Sequence, residues 1–171
     1  MNVFVQKINK YEENTQSNDE ELYKTINDTR YTDWAISTPL MLLVLCMVLG
    51  YENKITVHFT NIVYILILNF LMLGSGYIGE INMLPKVLAN VVGFIFFFAM
   101  YALIWKTYMK KSKTLNSKVI FYIFLILWAL YGLFYNMDTL TKIIGYNILD
   151  LLSKAFVGIF FWLYLTKCIK F

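Results

Sequence analysis

The chain has 171 residues, of which 59% are hydrophobic, 18% aromatic and only 15% charged, with a formal net charge of +4. So few charged side chains cannot coat a soluble domain of that length, which excludes the soluble globular classes and points to a bilayer as the solvent.

Residues 1–29 differ in kind from the rest. From Lys7 onward Glu, Asp, Asn, Lys, Ser and Thr dominate, and such a segment cannot bury enough apolar area to order itself alone. It is expected to be a polar extracellular tail or loop. Its first residues, MNVFV, are apolar but too short for a span or for the hydrophobic region of a signal peptide, and fit the stub of a longer helix. Apolar windows then follow at 31–50, 56–78, 85–105, 119–137 and 141–166, each near the ~20 residues that cross a bilayer core. Their length separates spanning helices from buried strands. The expected fold is all-α, an integral membrane helical bundle over residues 30–171, and five spans place the termini on opposite sides.

The lysines orient it. The segment WKTYMKKSKTLNSK carries Lys106, Lys110, Lys111, Lys113 and Lys118, and the end of the last window carries Lys167 and Lys170; with Lys54 that side holds eight basic residues against one acid, Glu52. An excess of Lys and Arg marks the cytoplasmic side. The N-terminus is then outside, where four basic residues (Lys7, Lys10, Lys24, Arg30) face six acids (Glu12, Glu13, Asp19, Glu20, Glu21, Asp28). Topology accounts for the basic loop without invoking a nucleic-acid partner.

Other chemistry has little foothold. Cys46 and Cys168 both lie toward the reducing side of this topology, so no disulfide is expected. The single histidine, His58, has no Cys or carboxylate at ligand spacing, so no metal site is expected. There is no nucleophile motif, P-loop or dinucleotide fingerprint, and the chain is not expected to be an enzyme.

The exception to apolarity inside a span is Lys154, in YNILDLLSKAFVGIFFWLYL. A lysine near mid-membrane costs about 2.5–3.5 kcal/mol on insertion scales and is too far from either end to reach water easily. Asp150 stands one turn away, at the spacing that favours an ion pair. Two readings follow. The pair simply neutralises itself within a bundle, or the amine is a desolvated nucleophile able to condense with an aldehyde.

A second run decides where to look. RYTDWAISTPL, residues 30–40, places Asp33 almost one turn after Arg30, followed by Trp34, by Ser37 four residues beyond the aspartate, and by Pro39. Together with LDLLSK, this run resembles the microbial (type-1) rhodopsins, the retinal proteins of the bacteriorhodopsin and proteorhodopsin kind. GYIGE (Gly76 to Glu80) and WALYGLFY (128–135) are similar to further runs of that family, and the likeness covers about residues 28–168. It implies that the five spans are equivalent to helices three to seven of a seven-helix rhodopsin. It implies also that all-trans-retinal is the cofactor, borne on Lys154 as a Schiff base, with Asp33 and Asp150 as counterion and proton acceptor. Arg30 and Ser37 would stabilise those carboxylates. Trp34, Thr38, Met41, Met72, Gly76, Trp128, Tyr131 and Tyr135 would line the retinal pocket, and the lipid bilayer is the surrounding partner.

Three departures bear on function. The first two helices of the family have no counterpart among the five spans, so a second copy or complementing helices would be needed to close one flank. Gly132 stands in place of a proline, which is expected to loosen that helix. Val44, 11 residues after Asp33, stands roughly 16 Å farther along the helix, where proton pumps carry a carboxylate that reprotonates the Schiff base. Slow reprotonation is therefore expected of a light-driven proton or ion transporter. A light-gated ion channel, a photosensory receptor and a truncated inactive remnant are the alternatives.

Overall fold

The computed structural model describes the backbone of residues 2–110, 112, 115–156, 158, 159, 162 and 166, with side chains in that set from Glu21 onward except Phe156. Regular structure among the described residues is wholly helical: α1 (Asn2–Glu52), α2 (Phe59–Glu80), α3 (Lys86–Ile104), α4 (Leu115–Tyr135) and α5 (Thr139–Asp150). Wider, π-helical segments continue α3 over Trp105–Met109 and α5 over Leu151–Phe156.

The chain divides into two compact units, residues 1–36 and 37–171. In the first, the backbone is helical from Asn2, so the expected boundary at residue 29 is not a break in secondary structure. Composition argued only that this stretch lacks a core of its own. Its Glu, Lys and Gln content is compatible with a helix that lacks one. The hydroxyls of Thr25, Thr29 and Thr32 each donate to the carbonyl one turn back, those of Glu21, Thr25 and Asp28 at 2.9, 2.8 and 2.8 Å, which keeps these polar groups satisfied along the helix.

The second unit has the core. On α1, Leu42, Leu45, Cys46 and Leu49 fall at helical spacing on one face and are fully buried, while Leu43, Met47 and Tyr51 are exposed. That face joins Ile62 and Ile65 of α2, Phe97, Met100, Tyr101 and Ile104 of α3, and Ile120, Phe121, Phe124 and Trp128 of α4 in one cluster. The opposite faces carry Phe70, Ile95, Phe98, Ile126 and Ile148 outward. Apolar exposure on that scale suits a bundle whose solvent is lipid. Among the described residues, four helices are long and apolar enough to cross a membrane, at Glu21–Glu52, Phe59–Glu80, Lys86–Met109 and Leu115–Tyr135. The fifth expected window, 141–166, is described continuously through Phe156; Lys167, Cys168 and Lys170 lie outside the described residues, as do Lys111 and Lys113 of the basic loop.

Helix ends are set by local chemistry. Beyond α2, Asn82 adopts a left-handed conformation (φ 59°), its N–H donates to Gly79 O at 3.2 Å, and that of Met83 donates to Ile78 O at 3.1 Å. This bond pair is the Schellman ending of a helix. It stops α2 just after Glu80. Lys54 (φ 54°) ends α1 in the same way, with Lys54 N–H on Tyr51 O and Ile55 N–H on Gly50 O. At the other turn, the Asp138 carboxylate caps α5 by accepting from Thr141 N–H at 3.0 Å. That bond holds the Asp138 carboxyl below its ordinary 3.8.

Two close approaches seat α4. A side chain on Gly145 of α5 would collide with the Phe134 ring, and one on Gly132 would collide with Phe94 of α3. The Asn90 amide also donates to the Gly132 carbonyl at 3.0 Å. Gly132 is thus a packing position, covered by an aromatic ring and capped at its carbonyl.

Candidate functional site

Lys154 lies in the π-helical segment that follows α5. A π turn spaces residues more widely than an α turn and recurs at functional positions. The Lys154 ammonium stands 3.4 Å from Asp150 Oδ1, with the two side chains 28% and 24% exposed. Tyr131 reaches this pair from α4: its hydroxyl donates to Asp150 Oδ1 at 2.7 Å and lies 2.9 Å from Ser153 Oγ. The Tyr131 ring is stacked on Tyr146, with centroids 5.6 Å apart. The buried stripe of α5 and its continuation reads Lys142, Gly145, Tyr146, Leu149, Ser153. Three of those five are polar. The seam between α4 and α5 is therefore held by tyrosine hydroxyls and rings as much as by apolar packing.

Chemically the cluster is a chain of contacts from amine to carboxylate to phenol to alcohol, on the faces of two helices. The carboxylate balances the amine and is itself held by the phenol, so its orientation does not depend on water.

The other expected residues lie on α1, α2 and α4. Tyr135, one turn from Tyr131 on α4, is buried and donates to the Gly76 carbonyl of α2 at 2.8 Å. Thr38 Oγ1 accepts from the Asn69 amide at 2.9 Å, which ties α1 to α2. Met41 and Met72 pack against the core cluster, and Trp128 is part of it, edge-on to Tyr101 with centroids 6.4 Å apart. The hydroxyl of Ser37 and the amide oxygen of Asn69 are buried without a hydrogen-bond partner. Buried polar atoms in that state fit a site that takes a further group or water. Arg30, Asp33 and Trp34 belong to the first unit, where Trp34 is buried and edge-on to Tyr31 at 5.2 Å, and Asp33 is exposed.

Sequence reasoning missed several members. Ser153 and Asn69 gave no local signal, because their partners are 22 and 31 residues away. Glu80 and Lys142 form an ion pair of 2.8 Å, with side chains only 3% and 2% exposed. Glu80 was visible within GYIGE; nothing local linked it to Lys142, 62 residues on.

Comparisons with known proteins agree with one another. A sequence model of the family described as bacteriorhodopsin-like protein matches residues 3–168. Opsin-1 of Neurospora crassa is 30% identical over 155 residues, which cover 80% of this chain and 48% of that protein. The chain thus spans about half the length of this curated relative. Among solved structures, the crystal structure of viral rhodopsin OLPVRII matches with a TM-score of 0.79 and 40% identity, over 86% of this chain and 70% of that one.

The Tyr131 bridge is directly testable. Tyr131→Phe removes a bond to a charged acceptor and is expected to destabilise the bundle by about 1.5–3 kcal/mol, toward the lower end because Asp150 is partly exposed. Ser153→Ala should cost less, and the two together less than their sum, since they delete one shared bond. Thermal unfolding in micelles gives all three values. Strictly additive losses would show that the hydroxyl does not join the two groups.

Proposed function

We propose that this chain, which belongs to the bacteriorhodopsin-like family of microbial rhodopsins, is a retinal-binding, light-responsive membrane protein whose chromophore is carried on Lys154. The observation that carries the reading is the cluster of Lys154, Asp150 and Tyr131 on the π-helical segment after α5. Lys154 would hold all-trans-retinal through its side-chain nitrogen, as an imine formed with loss of water, and the bound group would supply visible absorption and a light-driven change of shape. Everything else falls to the chain. Asp150 balances a positive Lys154 nitrogen, and Tyr131 keeps that carboxylate aimed. Asp33, assigned on its motif, would be the proton acceptor, with Arg30 and Ser37 as the residues that would stabilise its carboxylate. The resemblance assigns Trp34, Thr38, Met41, Met72, Gly76, Trp128, Tyr131 and Tyr135 to the retinal pocket, where the aromatic side chains among them would shield the linkage from water.

The finer reading is light-driven proton or ion transport with slow reprotonation. Val44 is partly buried and packed against the core cluster, so no carboxylate supplies a proton from that point of α1. In the proposed topology the N-terminus and residues 1–29 are outside, the Lys110 side of the bundle is cytoplasmic, and the five helices correspond to the third through seventh of the family. The same Val44 favours a second reading, a light-gated ion channel in which a water path takes the donor's place.

Two experiments test these readings. Purified protein given all-trans-retinal is expected to form a visible-absorbing pigment and Lys154→Ala is not; an alanine variant with a visible band stable to hydroxylamine in the dark would overturn the assignment. Relative to the wild-type pigment, Val44→Asp is expected to speed recovery of the visible band after a flash by about tenfold or more, because a buried acid is protonated at rest and can act as donor. Unchanged recovery would favour the channel reading.

A further inference from the structure

The Glu80–Lys142 pair lies outside the chemistry assigned above. Glu80 is the last residue of α2, held there by the Schellman ending at Asn82, and Lys142 is in the first turn of α5. The Lys142 ammonium donates to both carboxylate oxygens, at 2.8 and 3.1 Å. Lys86, at 4.0 Å from Oε2, is 44% exposed and adds a peripheral charge. The same ammonium lies over the Tyr135 ring, 5.6 Å from its centroid. Tyr135 in turn bonds Gly76 of α2 and stands close against Gly79, where any side chain would displace its hydroxyl.

Burying two charges this completely is unfavourable unless their geometry is fixed, and removing one partner leaves the other stranded. The pair therefore has a defined length and direction between α2 and α5. Along α5, Lys142, Tyr146 and Ser153 share one buried face. Lys142 and Tyr146 meet Tyr135 and Tyr131 of antiparallel α4 in matching order, and Tyr131 also holds Ser153 and Asp150. Asp150, the last residue of α5, comes eight residues after Lys142, roughly 12 Å along the axis, and Lys154 follows in the next turn. A shift of α5 at Lys142 is thus transmitted along a rigid helix to the site.

We propose that Glu80 and Lys142 are positioning residues for the photochemical site: their buried ion pair, seated on Tyr135, anchors α5 so that Asp150 meets Lys154 and Tyr131. The proposal rests on the retinal reading above. It predicts that the pair governs the absorption and proton affinity of a site it does not touch.

The test uses the full chain, reconstituted with all-trans-retinal, and reads the absorption maximum and the pH midpoint at which the band shifts as the counterion is protonated. Asp150, the group read out, faces Tyr131 of α4, and Lys154 and Ser153 of its own helix. Glu80→Gln and Lys142→Met are expected to lose pigment, each leaving one buried group uncompensated. The double variant Glu80→Gln/Lys142→Met strands no charge and is the decisive protein. It is expected to remain helical by circular dichroism, with a displaced maximum and a midpoint moved by about one pH unit, a tenfold change in proton affinity. Lys142→Arg, which keeps the pair, is expected to behave as wild type. A double variant with wild-type maximum and midpoint would overturn the proposal, as would one that loses its helical content, since the pair would then serve stability alone. A wild-type chain that forms no pigment would reject the retinal reading itself, and this role with it; wild-type pigment beside an indifferent double variant would reject only the positioning role.

Discussion

An amine inside an apolar helix is tolerated only if an opposite charge is already in place beside it, and if that charge is in turn held by groups that are not water. The seam between α4 and α5 meets this condition at two levels. At one, Lys154 faces Asp150, which Tyr131 grips; at the other, Lys142 faces Glu80 over the ring of Tyr135. The two tyrosines are one turn apart on α4. They give α5 a polar buried face with a fixed register, where an all-apolar seam would let the helix slide.

Much of this was legible before any coordinates. The apolar windows matched α2, α3 and α4 to within a few residues, because a bilayer demands a minimum run and charged connectors end it. The Asp150–Lys154 pair was legible because its spacing is local. Tyr131 and Tyr135 were reached only through the resemblance, since tyrosine is common in membrane helices and no spacing within α4 marks either one. Ser153, Asn69 and the Glu80–Lys142 pair were not legible, for they depend on which helix faces turn toward each other. The π-helical segments were invisible for a related reason: Leu151–Phe156 has no proline or glycine to announce a change of winding. Gly132 read as a point of looseness, yet it is the place where Phe94 and Asn90 close on α4.

Membership of the family follows from matches that cover nearly the whole chain, while the chain covers 48% of Opsin-1 and 70% of the viral rhodopsin OLPVRII. Within the matched residues 3–168 lie the Lys154–Asp150 pair and the tyrosine that holds its carboxylate. The retinal reading proposed above rests on those three residues. Val44, packed against the core cluster from α1, is the position on which the proposed pump and channel readings differ.

The central claim is that Lys154 carries the chromophore, and the most direct measurement fixes the bond itself. Protein incubated with all-trans-retinal is reduced with borohydride, digested, and its peptides weighed by mass spectrometry. The account predicts a retinyl group on the peptide that contains Lys154 and on no other lysine peptide. A retinyl group on Lys142, or spread over the surface lysines with Lys154 unmodified, would contradict it.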